Sequence, residues 1–324
     1  MARDGLLYLC RREVEQVGLS MAEFVEAIDE MFQQKGRGNV EMPPKVGIRP
    51  RTDAFILAMP AYIPGLESAG MKWVGGYPEN PGKGLPYLSG LLILNDPDTG
   101  VPIAAMDCTW ITAMRTGAAT AVAAKYLARP DSTSVGIVAC GVQGRTNLEA
   151  LCCLFDIRNV KAYDVRAESA ERYAEEMNAR LGVAVEPVRE VRQAVQGLDI
   201  VVTSLPTRND PEPSIPAGWL AEGAFACPLD YDTSWQAAAM AEVDKFATDD
   251  LGQVEHYKHD GFLRSLPPPY ADLGQIAAGI KPGRESSAER TMSMNLGIAL
   301  EDMATAIRVY RRARELGIGT ELPL

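Results

Sequence analysis

Histidine is nearly absent from this chain: 324 residues contain two, His256 and His259. Hydrolytic triads and zinc sites draw on histidine, so catalysis has to rest on other side chains. The two histidines lie three residues apart with no cysteine or third histidine beside them, and no metal is expected. C-x-x-C is also missing among Cys10, Cys108, Cys140, Cys152, Cys153 and Cys227; four of these fall in apolar runs, which reads as reduced, inert core thiols. No apolar run approaches the roughly 20 residues of a membrane helix, and LLYLC near the start is short for a signal core. A cytoplasmic protein with no membrane partner is expected. Basic residues are outnumbered, 32 against 43 acidic, and the net charge of −11 argues against nucleic acid, which requires a basic face.

What is present is an ordinary globular composition, 47% hydrophobic and 23% charged, on a chain long enough for two domains. Its organising stretch is VGIVACGVQGRTNLEALCCLFDIRNVKAYDVR, Val135 to Arg166. It reads strand, small-residue turn, helix, strand, carboxylate: a dinucleotide-binding βαβ unit. Gly141 stands where the backbone must approach a pyrophosphate at a helix N-terminus. Asp164, 23 residues on, is placed to take the ribose hydroxyls. The glycine fingerprint is degraded, its three positions being Ala139, Gly141 and Gly144.

Before this unit, Ser20 and Glu23 form a capping box for an apolar-striped helix that GRG at 36–38 stops. Extended segments follow (PPKVGIRPR, AFILAMPAYI, GMKWVGGYP, GLLILN, VPIAAMD) and predict a mainly antiparallel sheet with a face left for subunit pairing. An Ala-rich helix over 109–128 leads into the βαβ unit. Beyond Asp164, helix and strand alternate through AESAERYAEEMNARLG, VAVEPV, EVRQAVQG and LDIVVTSL, the pattern of a doubly wound parallel sheet. AFACPLDYD and DKFATDD read as further strands, and a helix from about Leu296 to Leu316 closes the chain.

Two cations stand in apolar surroundings. Lys72 lies in a segment otherwise fit for burial, and Arg115 opens the Ala-rich helix; a buried charge is costly without a partner or a task. With Lys45, Arg49 and Arg51 they make a cationic cluster suited to a small carboxylate. Solvated edge charge is the alternative for Arg49 and Arg51. Asp230 and Asp232 follow a strand of the doubly wound segment, where ligands bind, and either one is placed to exchange a proton with a substrate amine. Spacing does not choose between them.

MPAYI, GMKWVGGYPENPGKGLPYLSG, LNDPDTGVPIAAMD, TAMRTGAATAVAAKYLA, CGVQGRTNLEAL, KAYDVR, AGIKPGRESS and NLGIALEDMATAIRVYRRARELGIG, in this order, resemble the ornithine cyclodeaminase/mu-crystallin family, which also holds archaeal-type alanine dehydrogenases and ketimine reductases. The resemblance implies an α/β fold in which a Rossmann domain, 116–302, is inserted into a second α+β domain, 1–115 and 303–324, that pairs two subunits as a homodimer. By motif it implies that Lys72 is the substrate lysine and Arg115 the carboxylate-binding arginine. It puts Thr116, Gly141, Val142, Gln143 and Asp164 on the nucleotide, and counting from Gly223 favours Asp232 as the catalytic acid/base. Arg166, Ser204 and Leu205 are assigned to the cofactor as well.

Departures from the family pattern fall at Lys45, in place of an arginine, at Tyr87 and Asn295, both assigned to the cofactor, and at LDYDTSW. In that last run Tyr231, assigned to the substrate, and Trp235 are expected to put bulk near the reacting centre. The implied activity is hydride transfer between NAD and the C–N carbon of a small α-amino or α-imino acid other than ornithine, with NADP as the alternative cofactor because Arg166 offsets Asp164. Rival readings are a true cyclodeaminase releasing ammonia from a diamino acid, and a crystallin-like binder without turnover.

Overall fold

The computed structural model describes residues 5–206, 211–263 and 266–324. The chain divides into two compact units, Met1–Arg115 with Ile298–Leu324, and Thr116–Gly297. Residues 298–302, expected in the nucleotide-binding segment, fall in the first unit, because the helix they open packs on that unit's sheet.

The first unit begins with β1 (Gly5–Leu9), α1 (Arg11–Gln16) and α2 (Met21–Gly36). Ser20 caps α2 as expected: Glu23 N–H donates to its Oγ, and the Glu23 carboxylate accepts from Ser20 N–H at 2.8 Å. Strands β2 (Val46–Arg51), β3 (Ala54–Ile63), β4 (Ser68–Gly76), β5 (Leu88–Asn95) and β6 (Pro102–Asp107) pair antiparallel in sequence order, and α3 (Thr109–Leu127) follows. Pleating sorts the side chains. Met59, Lys72, Leu92 and Met106 stand opposite one another on four neighbouring strands, and all four are buried. The adjacent row, Val46, Ala58, Trp73 and Leu91, leaves Val46 66%, Trp73 43% and Leu91 40% exposed.

The second unit carries β7 (Ser134–Val138), α4 (Val142–Cys152), β8 (Asn159–Tyr163), α5 (Ala167–Leu181), β9 (Ala184–Pro187), β10 (Ile200–Thr203), β11 (Phe225–Pro228), α6 (Ala237–Ala241), β12 (Lys245–Thr248), α7 (Leu251–His259), β13 (Ala271–Asp272), α8 (Leu273–Ala277) and β14 (Thr291–Met294). Its eight strands are parallel in the order β13-β12-β14-β11-β10-β7-β8-β9. This is the doubly wound sheet expected. The segment 190–197, read as a helix, forms only the 3-10 turn Val191–Ala194. β14 escaped sequence reading, because its buried Thr291 and Ser293 break the apolar run.

The chain then returns to the first unit as α9 (Ala299–Leu316) and β15 (Thr320–Pro323). α9 packs on β3, β4 and β5 and beside α2, where Arg308 pairs with Glu30 at 3.0 Å and Arg312 with Glu23 at 2.5 Å. β15 completes a seven-stranded sheet, β15-β1-β6-β5-β4-β3-β2, whose one parallel pair is β1 with β6. Among the described residues no helix is long and apolar enough to cross a membrane.

Candidate functional site

In the second unit the chain runs from β7 to its neighbour β8 and later to β10 on the other side, which makes the carboxyl end of β7 the topological switch point. The turn there is built tightly. Ala139 has φ +82°, a left-handed conformation that glycine adopts without cost. Gly141 caps α4, and a Cβ on it would meet nothing within 4 Å, so its backbone faces open space. A Cβ on Gly144 would come 2.7 Å from the Ala139 oxygen, and one on Gly117 would come 2.6 Å from the Thr146 carbonyl carbon. The small residues at these positions allow α4 to close against β7 and α3.

Asp164 accepts from the Cys140 and Arg166 N–H groups, each at 3.0 Å, which fixes its carboxylate at the end of β8 beside the turn. A cleft of ≈ 410 Å³ opens there, lined by Gly141, Val142, Arg166, Ser169 and Arg172 among others. The first-turn amides of α4 lack intrahelical acceptors by construction. Gln143 is half-buried and accepts from Asn147 Nδ2 at 3.3 Å. Ser204 N–H donates to Val138 O at 3.0 Å, which brings Ser204 and Leu205 to the same sheet end as the turn. Asn295, just past β14, is buried; its Oδ1 accepts from Ser293 Oγ at 2.7 Å, while its Nδ2 has no hydrogen-bond partner among the described residues. An orphaned buried donor is costly unless a ligand satisfies it. Open glycine, free amides, carboxylate and orphaned amide together fit a dinucleotide.

The two aspartates after β11 have different surroundings. Asp230 is fully buried and accepts from Thr203 Oγ1 at 2.9 Å, Leu205 N–H at 2.9 Å and Ser234 Oγ at 2.5 Å. Burial pushes its carboxyl up to about 6 against these bonds. It pins the loop after β10 to the loop after β11. Asp232 is half-exposed and has no hydrogen bond or ion pair among the described residues. Tyr231 between them has φ +60° and packs half-buried against Tyr257, ring centroids 5.7 Å apart. Trp235 corrects an expectation: it is core, 1% exposed, and its Nε1 donates to Thr203 Oγ1 at 3.2 Å. Its bulk faces the interior of the sheet layer and not a ligand.

In the first unit Lys72 and Arg115 are both buried, as their apolar surroundings implied. Lys72 Nζ lies 2.6 Å from Asp302 Oδ2, Arg115 Nε lies 3.2 Å from Asp302 Oδ1, and Arg115 also pairs with Glu301. Burial, with the Arg115 charge adding to it, pushes the Lys72 ammonium down to about 8; Asp302 opposes the shift. Sequence reading missed the two acids. The signal was there, since both stand inside the apolar run of α9 where a solvated charge has no place.

Lys45 is buried as well, whereas Arg49 and Arg51 are exposed, Arg51 pairing with Asp53 at 3.1 Å and Glu79 at 3.0 Å as edge charges do. Tyr87 lies half-buried in the first unit, before β5, and Thr116 half-buried on α3 opens the second. His256 and His259 lie on α7 beside Asp260. Of the cysteines, Cys108, Cys140 and Cys227 are buried; Cys153, read as core, is exposed because α4 ends one residue before it.

A family model described as the ornithine cyclodeaminase/mu-crystallin family matches residues 7–317. An alanine dehydrogenase of Archaeoglobus fulgidus is 37% identical over 325 residues, 98% of each chain. Among solved structures, the Thermococcus litoralis Δ1-pyrroline-2-carboxylate reductase in complex with NADH and L-proline superposes with a TM-score of 0.88 at 35% identity, covering 98% of this chain and 100% of that one. An archaeal alanine dehydrogenase dimer with bound NAD gives 0.87 at 35% identity, covering 98% of both.

Proposed function

The chain belongs to the ornithine cyclodeaminase/mu-crystallin family, and from that premise we propose that it is an NAD-dependent oxidoreductase acting on the C–N carbon of a small α-amino or α-imino acid. The observation that carries this reading is the pair of buried cations, Lys72 and Arg115, in a chain whose other unit holds a nucleotide turn with Asp164 at its ribose position. Two buried cations suit a carboxylate, and the turn suits a dinucleotide.

Gly141, Val142, Gln143 and the α4 amides hold the pyrophosphate, Asp164 and Arg166 the adenosine ribose, and Thr116, Tyr87, Ser204, Leu205 and Asn295 the remainder of the cofactor. When bound, the nicotinamide supplies the hydride for a C=N bond or takes it back. Arg115 and Lys45 grip the substrate carboxylate, and Lys72 adds its ammonium, present below about pH 8. Asp232 exchanges a proton with the substrate nitrogen, a role its exposure supports and that the internal bonding of Asp230 disfavours. Tyr231 bounds the substrate. The relatives named above point to alanine-like acids and cyclic imines in preference to diamino acids.

The functional assembly is a homodimer in the cytoplasm. The exposed row Val46, Trp73 and Leu91 is an apolar stripe across three strands that a second copy would cover, and an archaeal relative is a dimer. Turnover tests the reading directly: the protein should oxidise NADH with Δ1-pyrroline-2-carboxylate or with pyruvate plus ammonia. Nucleotide binding without a change in reduced-nicotinamide absorbance, over a panel of amino acids with NAD and imines with NADH, would leave only a binding protein.

A further inference from the structure

The first turn of α9 holds two buried carboxylates that the scheme above leaves without a role. Asp302 is 0% exposed and spends one oxygen on each cation, Oδ2 on Lys72 at 2.6 Å and Oδ1 on Arg115 at 3.2 Å. Glu301, also 0% exposed, pairs with Arg115. We propose that Asp302 is the positioning residue of the substrate site: its two oxygens set the Lys72 ammonium and the Arg115 guanidinium at a fixed separation, ready for a substrate carboxylate. The proposal rests on the substrate reading given above.

Lysine and arginine side chains each lose rotamer entropy on being held in one place, and two like charges brought together repel. A carboxylate between them answers both problems. Its own place is fixed by backbone, since Ser68 Oγ on β4 donates to Met303 O at 2.8 Å and ties the strand of Lys72 to the turn of Asp302. The helix N-terminus adds favourable potential for both acids. Within this foursome the two cations and two anions cancel, which lessens the cost of burying them.

The groups that face Lys72 are Asp302 from α9, Arg115 from α3 and the Cys108 thiol just before α3, and of these Asp302 is the strongest influence holding the ammonium charged. The ammonium exists below its titration point and is lost as pH rises through it. Removing the Asp302 charge therefore moves that loss to lower pH.

The test follows the Lys72 ε-carbon by NMR, assigned with Lys72→Arg, in full-length wild type, Asp302→Asn and Asp302→Glu, alongside NADH turnover of Δ1-pyrroline-2-carboxylate against pH. In Asp302→Asn the Lys72 titration should fall by about one pH unit or more, and the alkaline limb of kcat/KM should move with it. At neutral pH kcat/KM should drop at least about tenfold, mainly through KM. Asp302→Glu restores the charge but not the place, so Lys72 should titrate near its wild-type value while kcat/KM stays at least about tenfold low. That second variant decides the matter if Asp302→Asn does not fold. An unmoved Lys72 titration in Asp302→Asn, or wild-type kcat/KM in Asp302→Glu, overturns the proposal. A shifted titration with no turnover by wild type retires the substrate reading and leaves Asp302 as the residue that sets Lys72.

Discussion

Replacing Asp230 and Asp232 by alanine, one at a time, should separate a structural acid from a catalytic one two residues away. Asp230→Ala strands the Leu205 N–H and removes the acceptor of the Thr203 and Ser234 hydroxyls. The fixed amide costs about 1–3 kcal/mol, and the hydroxyls, free to turn, about 0.5–1 each, so a loss of roughly 2–5 kcal/mol is expected. At about 2–4 °C per kcal/mol for a unit of this size, Tm should fall by roughly 4–20 °C.

The loss has a pH signature. The folded-state carboxyl titrates at about 6 against 3.8 in the unfolded chain, so the neutral form is the one the fold favours. That contribution is complete below the unfolded value and is lost as pH rises through the folded one. Between pH 5 and 8 wild type should therefore lose about 1.4 kcal/mol relative to the variant, and the gap in stability between them should narrow by that amount. Denaturant melts at the two pH values measure it. Asp232→Ala should stay within about 0.5 kcal/mol of wild type and yet lose at least about 100-fold in turnover. A gap that widens with pH, or an Asp232→Ala enzyme with normal turnover, would refute the division of roles.

Lys72→Ala should leave a folded protein, because Arg115 still partners Asp302, while kcat/KM for an imino acid with NADH falls at least about 100-fold in steady-state assays. Glycine substitutions should divide by site. Gly136→Ala drives a Cβ into the Ala194 carbonyl oxygen and to 2.8 Å from Leu198 Cδ1, costing about 1–3 kcal/mol by denaturant titration. Gly141→Ala meets open space and should keep wild-type stability, but weaken NADH about tenfold or more by fluorescence titration. Asp164→Ala should raise the KM for NADH and lower that for NADPH, since Arg166 and Arg172 line the cleft at the turn; an unchanged preference would remove Asp164 from cofactor choice.

The parts of this molecule that declare themselves in sequence are those whose structure is set by nearby residues. The Ser20–Glu23 cap, the punctuated strands β2 to β6 and the unit from β7 to β8 are of this kind. β1 and β15 are not. Each is short, and each is held by a partner from the opposite end of the chain, Gly5 standing opposite Pro323. β14 is hidden for another reason: the Thr291 hydroxyl donates to Leu127 O at 2.6 Å, so a polar residue sits where periodicity demands an apolar one. Lys72 and Arg115 were legible because a cation in an apolar strand or helix is conspicuous. Trp235 misled because an aromatic beside a catalytic acid reads equally well as pocket wall or as core.

The buried charges give an independent reason to regard the first unit as built for a ligand. Two ion-paired cations and two carboxylates inside a protein contribute little to stability, since the desolvation of each rivals the attraction between them, and apolar residues of similar volume would serve the fold as well or better. Every neighbour of Lys72 in its row, Met59, Leu92 and Met106, is of that apolar kind. A lysine among them disturbs an otherwise uniform layer, and Arg115, Glu301 and Asp302 multiply the disturbance instead of relieving it with a methionine or a leucine. Lys72, Arg115, Glu301 and Asp302 cancel among themselves, and the buried Lys45 adds one cation, the charge that a substrate carboxylate would neutralise. On this reasoning the substrate carboxylate is recognised for its charge, and an uncharged amide or ester of the same skeleton should bind far more weakly than the acid.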